Sequence, residues 1–241
     1  MRQLLPTYAE EADVAAAYAY PTHLTRPWVR ANMVSSADGS AVVEGRSGGL
    51  SSAADQEVFA VLRGLADAVV VGAGTARAEG YRAMRAKHAY ADARAALDQR
   101  PAPTLVLVSG RLDLDPSSEL FHGGVAQTVV VTSGSSDPAR RAELAQVADV
   151  VVAGEAAVDV AAALAALAER GLLRVLCEGG PHLLADVCAA GRLDELCLTT
   201  TPRLVGGTGT RILAGAAVSV PLALGHLLEL DGVLLARYVR A

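Results

Sequence analysis

Short apolar runs alternate with amphipathic stretches along most of the chain, and this alternation predicts the secondary structure. β-Branched and leucine-rich runs closed by glycine or serine are typical of buried strands. Val58, Val61, Leu62 and Leu65 follow a helical spacing behind Ser52, which is typical of a helix that packs on one face. The predicted strands are residues 28–35, 67–72, 104–109, 128–132, 149–152, 173–177 and 195–201. The predicted helices are residues 52–65, 137–147, 156–170 and 181–190.

The order of these elements predicts an α/β fold. Strands separated by helices form a mostly parallel central sheet with helices on both faces. Two strands between residues 227 and 240, joined at the turn Asp231-Gly232, predict antiparallel strands at the C-terminal end. We expect residues 1–25 to form an N-terminal leader segment. Residues 26–241 are expected to form a single domain, because no break in composition and no repeat divides them, and the polar stretch 77–99 to be a surface excursion.

Composition and charge exclude several classes of function. The formal net charge is -5, which does not indicate the basic surface of a general nucleic-acid binder. No segment reaches the ~18 uninterrupted apolar residues that a membrane span needs. Cys177, Cys188 and Cys197 form no C-x-x-C pair, and the histidines share no metal-ligand spacing. We therefore expect a cytoplasmic protein with reduced thiols and with no metal, nucleic-acid or membrane partner.

Glycine-rich stretches follow three of the predicted strands. They are residues 72–75, residues 178–180 and residues 202–207. Ligands of open α/β sheets bind at the carboxyl ends of strands, and a helix start behind glycines offers N–H groups to an anion. One such stretch alone could be a tight turn, but three together favour an extended, dinucleotide-like ligand. A standard G-x-G-x-x-G motif is not predicted, because Arg77 occupies its last position.

Three stretches, in this order and spacing, resemble one known family. They are RANMVSSADGSAVVEGRSGGLSS, LRGLADAVVVGAGTARAEGYR and LCEGGPHLLADVCAAGRLDELCLTTTPRLVGG. The chain resembles, over about residues 26–240, the pyrimidine reductase of riboflavin biosynthesis, which is the carboxyl-terminal half of the bifunctional deaminase–reductase. The resemblance implies a dihydrofolate-reductase-like fold. It also implies a stand-alone reductase, because the H-x-E and P-C-x-x-C signatures of the zinc deaminase are absent.

The resemblance implies the chemistry and the site residues. That family transfers a hydride from NADPH to the ribose imine carbon of 5-amino-6-(5-phosphoribosylamino)uracil, a phosphorylated heterocycle, and is commonly homodimeric. The implied cofactor-binding residues are Gly72, Gly74, Thr75, Glu79, Ser109, Gly179, Gly180, Pro181, His182, Leu183 and Leu184, with Arg111 as a further candidate for the 2′-phosphate. The implied substrate-binding residues are Asn32, Ser47, Arg63, Arg85 and Glu178, and the implied catalytic residues are Glu178 and Asp38.

Two of these residues, Glu178 and Asn32, bear on which substrate the protein binds. Glu178, directly before two glycines, is expected to face the substrate, where it accepts hydrogen bonds or helps to move a proton. Asn32 stands where the family commonly has a lysine, so the role of that cation does not carry over. One alternative is therefore a reductase of the same fold that acts on a pterin or another heterocycle. A second alternative is a nucleotide-binding module without catalytic activity.

Overall fold

The computed structural model describes residues 1–241 and contains ten strands and seven α-helices. The strands are β1 (Arg2–Leu5), β2 (Trp28–Ser36), β3 (Ala68–Gly72), β4 (Thr104–Val108), β5 (Val129–Thr132), β6 (Asp149–Val152), β7 (Arg174–Cys177), β8 (Glu195–Thr201), β9 (Leu222–Leu230) and β10 (Val233–Arg240). The helices are α1 (Val14–Ala17), α2 (Ala53–Leu65), α3 (Ala73–Ala78), α4 (Ala91–Ala96), α5 (Pro138–Leu144), α6 (Val160–Glu169) and α7 (Pro181–Ala189). The predicted α/β class is confirmed, and each predicted strand and helix corresponds to one of these elements.

The internal contacts of the chain divide it into two compact units. The first unit comprises Met1–Tyr20, Val29–Arg63 and Cys177–Ala241. Its strands lie in the order β1-β9-β10-β8-β2. The pairs β1–β9, β9–β10 and β10–β8 are antiparallel, whereas β2 runs parallel to β8. The antiparallel strands predicted at the C-terminal end are therefore confirmed.

The second unit comprises Pro21–Trp28 and Gly64–Leu176. Its strands lie in the order β7-β3-β4-β5-β6, and the pairs from β3 to β6 are parallel. Leu105, Val106 and Leu107, at successive positions of β4, are at most 1% exposed. Strands buried on both faces need apolar residues at successive positions, which explains the continuous runs seen in the sequence.

Two elements differ from their predicted positions for local reasons. The helix predicted from residue 156 begins at Val160, because the Asp159 carboxylate accepts the N–H groups of Ala161 and Ala162 at 2.8 and 3.0 Å and caps it there. The stretch predicted as a surface excursion contains α4, and Arg94 of that helix is buried. Its guanidinium donates to the carbonyl oxygens of Gly64 and Ala66, so part of the excursion packs back against the end of α2.

A buried charged cluster lies in the first unit and includes part of the predicted leader segment. The Arg30 guanidinium donates to Glu195 at 2.5 Å and to the Tyr18 carbonyl oxygen at 2.6 Å, and it lies 4.0 Å from the centre of the Tyr20 ring. Arg237 pairs with the second oxygen of Glu195. Burial opposes the ionisation of Glu195, but hydrogen bonds and charge from both arginines outweigh it and hold its pKa below the usual value.

The prediction of a single domain that begins at residue 26 stays a prediction.

Candidate functional site

Arg63 and Glu178 form a bidentate ion pair in the first unit. The Nε and Nη2 atoms of Arg63 each donate to one carboxylate oxygen of Glu178, both at 2.7 Å. Arg63 belongs to the last turn of α2, and Glu178 directly follows β7. The Phe59 ring lies one helical turn before Arg63, with 4.1 Å between the guanidinium carbon and the ring centre. Two residues that were predicted separately to contact the substrate are therefore in direct contact.

The glycines after Glu178 form a turn into α7. Gly179 has φ +80°, a backbone conformation that side chains rarely adopt, so the position suits glycine. A Cβ there would make an ordinary contact with the thioether of Met33, at 3.4 Å. The Gly179–Gly180 peptide is cis. Gly180 caps α7 without a side-chain hydrogen bond, and Pro181 occupies the first turn. His182 is exposed, whereas Leu183 and Leu184 are buried, so these leucines can offer a ligand only their backbone.

This helix start fits the pyrophosphate of a dinucleotide. The helix has nine residues, no acidic side chain in its first turn and no side-chain cap. The N–H groups of a helix's first turn have no partner within the helix, and the helix dipole favours negative charge there. The prediction that Gly179 to Leu184 hold the cofactor stays a prediction, and the local geometry is compatible with it.

Asp38 fastens two loops of the first unit together. Its carboxylate accepts the Ser36 hydroxyl at 2.5 Å, the Gly206 N–H at 2.7 Å and the Val205 N–H at 3.2 Å. The hydrogen bond from Ser36, followed by those from Gly206 and Val205, lowers the pKa of Asp38 to about 2. The third glycine-rich stretch, residues 202–207, is thus anchored on the turn formed by residues 36–39.

Further backbone contacts join the same loops. The Ala37 N–H donates to the Arg203 carbonyl at 2.9 Å, and the Arg203 side chain donates to the Gly49 carbonyl at 2.5 Å. Gly49 ends the helical turn Ser47–Gly49, in which Ser47 is half-buried.

Two further residues of the first unit differ in their exposure. Leu204, between the anchored positions 203 and 205, is 83% exposed. Asn32 is half-buried on β2, opposite Cys197 of β8.

The remaining predicted residues belong to the second unit. Gly72 ends β3 and precedes α3, so Gly74 and Thr75 lie in a helical first turn rather than in an open loop. Glu79 ends that helix, and its N–H donates to the Thr75 carbonyl. The Ser109 hydroxyl follows β4 and accepts the Leu112 N–H at 2.9 Å, which directs it into its own turn. Arg85 and Arg111 are exposed.

Three residues that were not among the predicted site residues are part of these arrangements. Ser36 and Arg203 hold the loops around Asp38, and Phe59 packs on Arg63. Phe59 could have been found from its spacing of four residues before Arg63, whereas the partners of Ser36 and Arg203 depend on the tertiary fold.

No group of three or more histidine, cysteine, aspartate or glutamate side chains could hold a metal ion. None of the seven α-helices combines the length and the hydrophobicity that a membrane-spanning helix needs.

Comparisons with known proteins place this geometry in context. A family model described as the RibD C-terminal domain matches residues 27–235. The 2,5-diamino-6-ribosylamino-4(3H)-pyrimidinone 5′-phosphate reductase of Archaeoglobus fulgidus is 29% identical over 76% of this chain and 83% of its own. The enzyme of the same name from Methanothermobacter thermautotrophicus is 31% identical over 78% of this chain and 83% of its own. A crystal structure of a pyrimidine reductase-like protein from Corynebacterium diphtheriae has a TM-score of 0.85 at 30% identity and covers 95% of this chain and 98% of its own.

Proposed function

Because the chain belongs to the RibD C-terminal domain family, we propose that it reduces a ribosylamino-pyrimidine 5′-phosphate with a hydride from NADPH. The prediction of a pyrimidine reductase of the riboflavin pathway, an oxidoreductase, is confirmed at the level of the family. The two archaeal relatives are named for a 5′-phosphorylated substrate, which supports a phosphorylated heterocycle here as well. The choice of NADPH over NADH belongs to the proposal.

The glycine turn before α7 is the observation that best supports a dinucleotide cofactor. Gly179, Gly180 and the first turn of α7 would hold its pyrophosphate through backbone N–H groups. We assign Gly72, Gly74, Thr75, Glu79 and Ser109 to the same cofactor, as the family resemblance implies. A bound nicotinamide supplies the hydride, while the protein orients the reactants and excludes water.

We assign the substrate to the Arg63–Glu178 pair of the first unit. Arg63 offers a planar fork that suits a phosphate, and Ser47, Arg85 and Asn32 are the further candidates that the resemblance gives. Asp38 accepts hydrogen bonds from two loops and has a pKa of about 2, so a role in holding the loops suits it better than proton transfer near neutral pH. Its predicted catalytic role stays a prediction.

Oxidation of NADPH in the presence of the pyrimidine substrate tests the proposal. The purified protein is expected to consume NADPH only when the phosphoribosylamino-pyrimidine is added, and to consume NADH more slowly. Binding of NADPH without oxidation would contradict the proposal and favour a nucleotide-binding module without catalytic activity. The same assay in the absence of protein is the control.

Asn32 favours a second candidate, a reductase of a pterin or another heterocycle. Asn32 is a neutral amide on β2, so that position offers a substrate hydrogen bonds but no positive charge. A panel of dihydropterins and pyrimidines, each followed by the loss of NADPH absorbance, separates the two candidates. Faster turnover of an unphosphorylated dihydropterin than of the pyrimidine phosphate would replace the leading proposal with this one.

We also propose a homodimer in the cytoplasm. Leu224 of β9 and Leu234 of β10 lie towards opposite ends of this strand pair and are 44% and 38% exposed, and these exposed leucines support association of two copies through the last two strands. Cys177, Cys188 and Cys197 are all free and buried, which suits a reducing compartment. Light scattering that gives the mass of a monomer at micromolar concentration would overturn the dimer, and a tagged protein found outside the cytoplasm would overturn the location.

A further inference from the structure

The two members of the Arg63–Glu178 pair differ in their exposure to solvent. The Glu178 side chain is 1% exposed, whereas the Arg63 side chain is 26% exposed. The carboxylate is therefore the inner member of the pair, and the guanidinium is the member that a ligand in solution can reach. Both carboxylate oxygens accept N–H groups of Arg63, so Glu178 could exchange a proton with a substrate only by loosening this pair.

The orientation of the Arg63 guanidinium is fixed from two directions. Its edge is held by Glu178, and its flat face lies against the Phe59 ring at 4.1 Å. A guanidinium has five N–H donors in a rigid plane, so fixing one edge and one face also fixes the direction of its outer edge. Phe59 and Arg63 lie on the same side of α2, which makes this support local to one helix.

We propose that Glu178 is a positioning residue, which aims the outer edge of the Arg63 guanidinium at an oxyanion of the substrate and does not itself transfer a proton. This inference rests on the proposed function. The pair carries no net charge, so its affinity for a phosphate depends more on the orientation of the Arg63 N–H donors than on charge. Arg63→Lys, which keeps the charge but loses the planar fork, is therefore expected to raise KM about 10-fold with little change in kcat.

Nuclear magnetic resonance of the protein without substrate tests the geometry directly. Rotation of the Arg63 guanidinium about its Nε–Cζ bond is expected to be slow in the native protein and fast in Glu178→Gln. Arg170, whose pair with Asp149 is 31% and 40% exposed, provides a reference signal that should not change. Equal rotation rates for Arg63 in the two proteins would overturn the inference, whether or not any substrate is turned over.

Chemical rescue tests the division of roles during turnover. Arg63→Ala should regain about 10-fold in kcat/KM when millimolar guanidinium is added, and this gain should vanish in Arg63→Ala/Glu178→Gln, because the added cation needs the carboxylate to orient it. Circular dichroism at the assay temperature checks that both variants are folded at that guanidinium concentration. Equal rescue in both backgrounds would overturn the inference.

The pH profile separates positioning from proton transfer. Glu178→Gln is expected to lower kcat/KM while the limbs of the pH profile keep their positions. Loss of one limb in this variant would identify Glu178 as an acid or base and overturn the inference. If the native protein shows no turnover of the pyrimidine, the proposed function fails, and the rotation of Arg63 still decides whether Glu178 positions it.

Discussion

The first unit contains two arginine–glutamate arrangements, and they differ in how far their side chains are exposed to solvent. In the inner cluster, Arg30 and Glu195 are both fully buried, and Arg237 supplies a second guanidinium to the same carboxylate. In the outer pair, Glu178 is buried but Arg63 is about a quarter exposed. The inner cluster satisfies its charges within the protein, whereas the outer pair leaves one charged group partly exposed to solvent. We therefore assign the inner cluster to stability and propose recognition of a ligand for the outer pair.

Removing the inner carboxylate is expected to have the largest effect on stability. Glu195→Gln leaves the fully buried Arg30 and the partly buried Arg237 without a countercharge, which should lower the free energy of unfolding by about 3–5 kcal/mol. Urea unfolding followed by circular dichroism measures the loss. Arg170→Gln, in an exposed pair, is the matched control and should change the free energy of unfolding by less than about 0.5 kcal/mol. Similar losses of stability in the two variants would show that the buried cluster contributes no more to stability than an exposed ion pair does.

Acid is expected to weaken the inner cluster through His226. His226 lies opposite Arg237 on the neighbouring strand and contacts Tyr18 edge-on. Burial, with smaller contributions from the charges of Arg237 and Arg30, lowers its pKa from the ordinary 6.5 to about 4. Between these values the unfolded chain binds more protons than the folded one, so stability should be complete above pH 6.5. It should then fall by on the order of 2 kcal/mol as the pH drops towards 4.

Urea unfolding at several pH values measures this dependence. The pKa values of Glu195 and Asp38 are lowered in the folded protein, so their stabilisation is lost only below about pH 5, where the carboxyls of the unfolded chain begin to bind protons. A His226→Gln variant should therefore have a nearly flat stability between about pH 5 and 6.5, where the native protein already loses stability. An unchanged slope in that variant would show that the inner cluster does not control the acid response.

Removing the charge of Asp38, which holds two loops together, is expected to have a smaller and more local effect on the structure. Asp38→Asn weakens acceptance of the Val205 and Gly206 N–H groups, because a neutral amide accepts hydrogen bonds less strongly than a carboxylate. Amide hydrogen exchange of these two residues should accelerate several-fold, while exchange in β8 stays unchanged. Faster exchange in β8 as well would indicate that Asp38 supports the whole unit and not only the loop.

The strands and helices with strong apolar patterns could be predicted from the sequence. β8 has its predicted bounds, Glu195–Thr201, and β2 differs by one residue. β9 begins at Leu222, five residues earlier than predicted, because Gly225 and His226 interrupt its apolar pattern. β1 was not predicted, since this short edge strand depends on its pairing with β9. Propensity alone carries little signal for an element that tertiary contacts create.

The candidate site could be predicted as a set of residues but not as an arrangement. Arg63 and Glu178 lie 115 positions apart, and each was assigned to the substrate on its own. Their contact follows from where α2 ends and where β7 ends in the folded chain, which no local pattern encodes. A carboxylate beside the turn that we predict to bind an anion has a structural explanation, because Glu178 pairs with Arg63.

A double-mutant cycle on kcat/KM tests the central claim most directly. Arg63→Gln and Glu178→Gln should each lower kcat/KM strongly, and the double variant should be within about 3-fold of the worse single variant, because Glu178 acts through Arg63. The affinity for NADPH should stay within a few-fold of the native value in all three variants. Multiplicative losses in the double variant would show that Glu178 acts on the substrate by itself and would contradict the account.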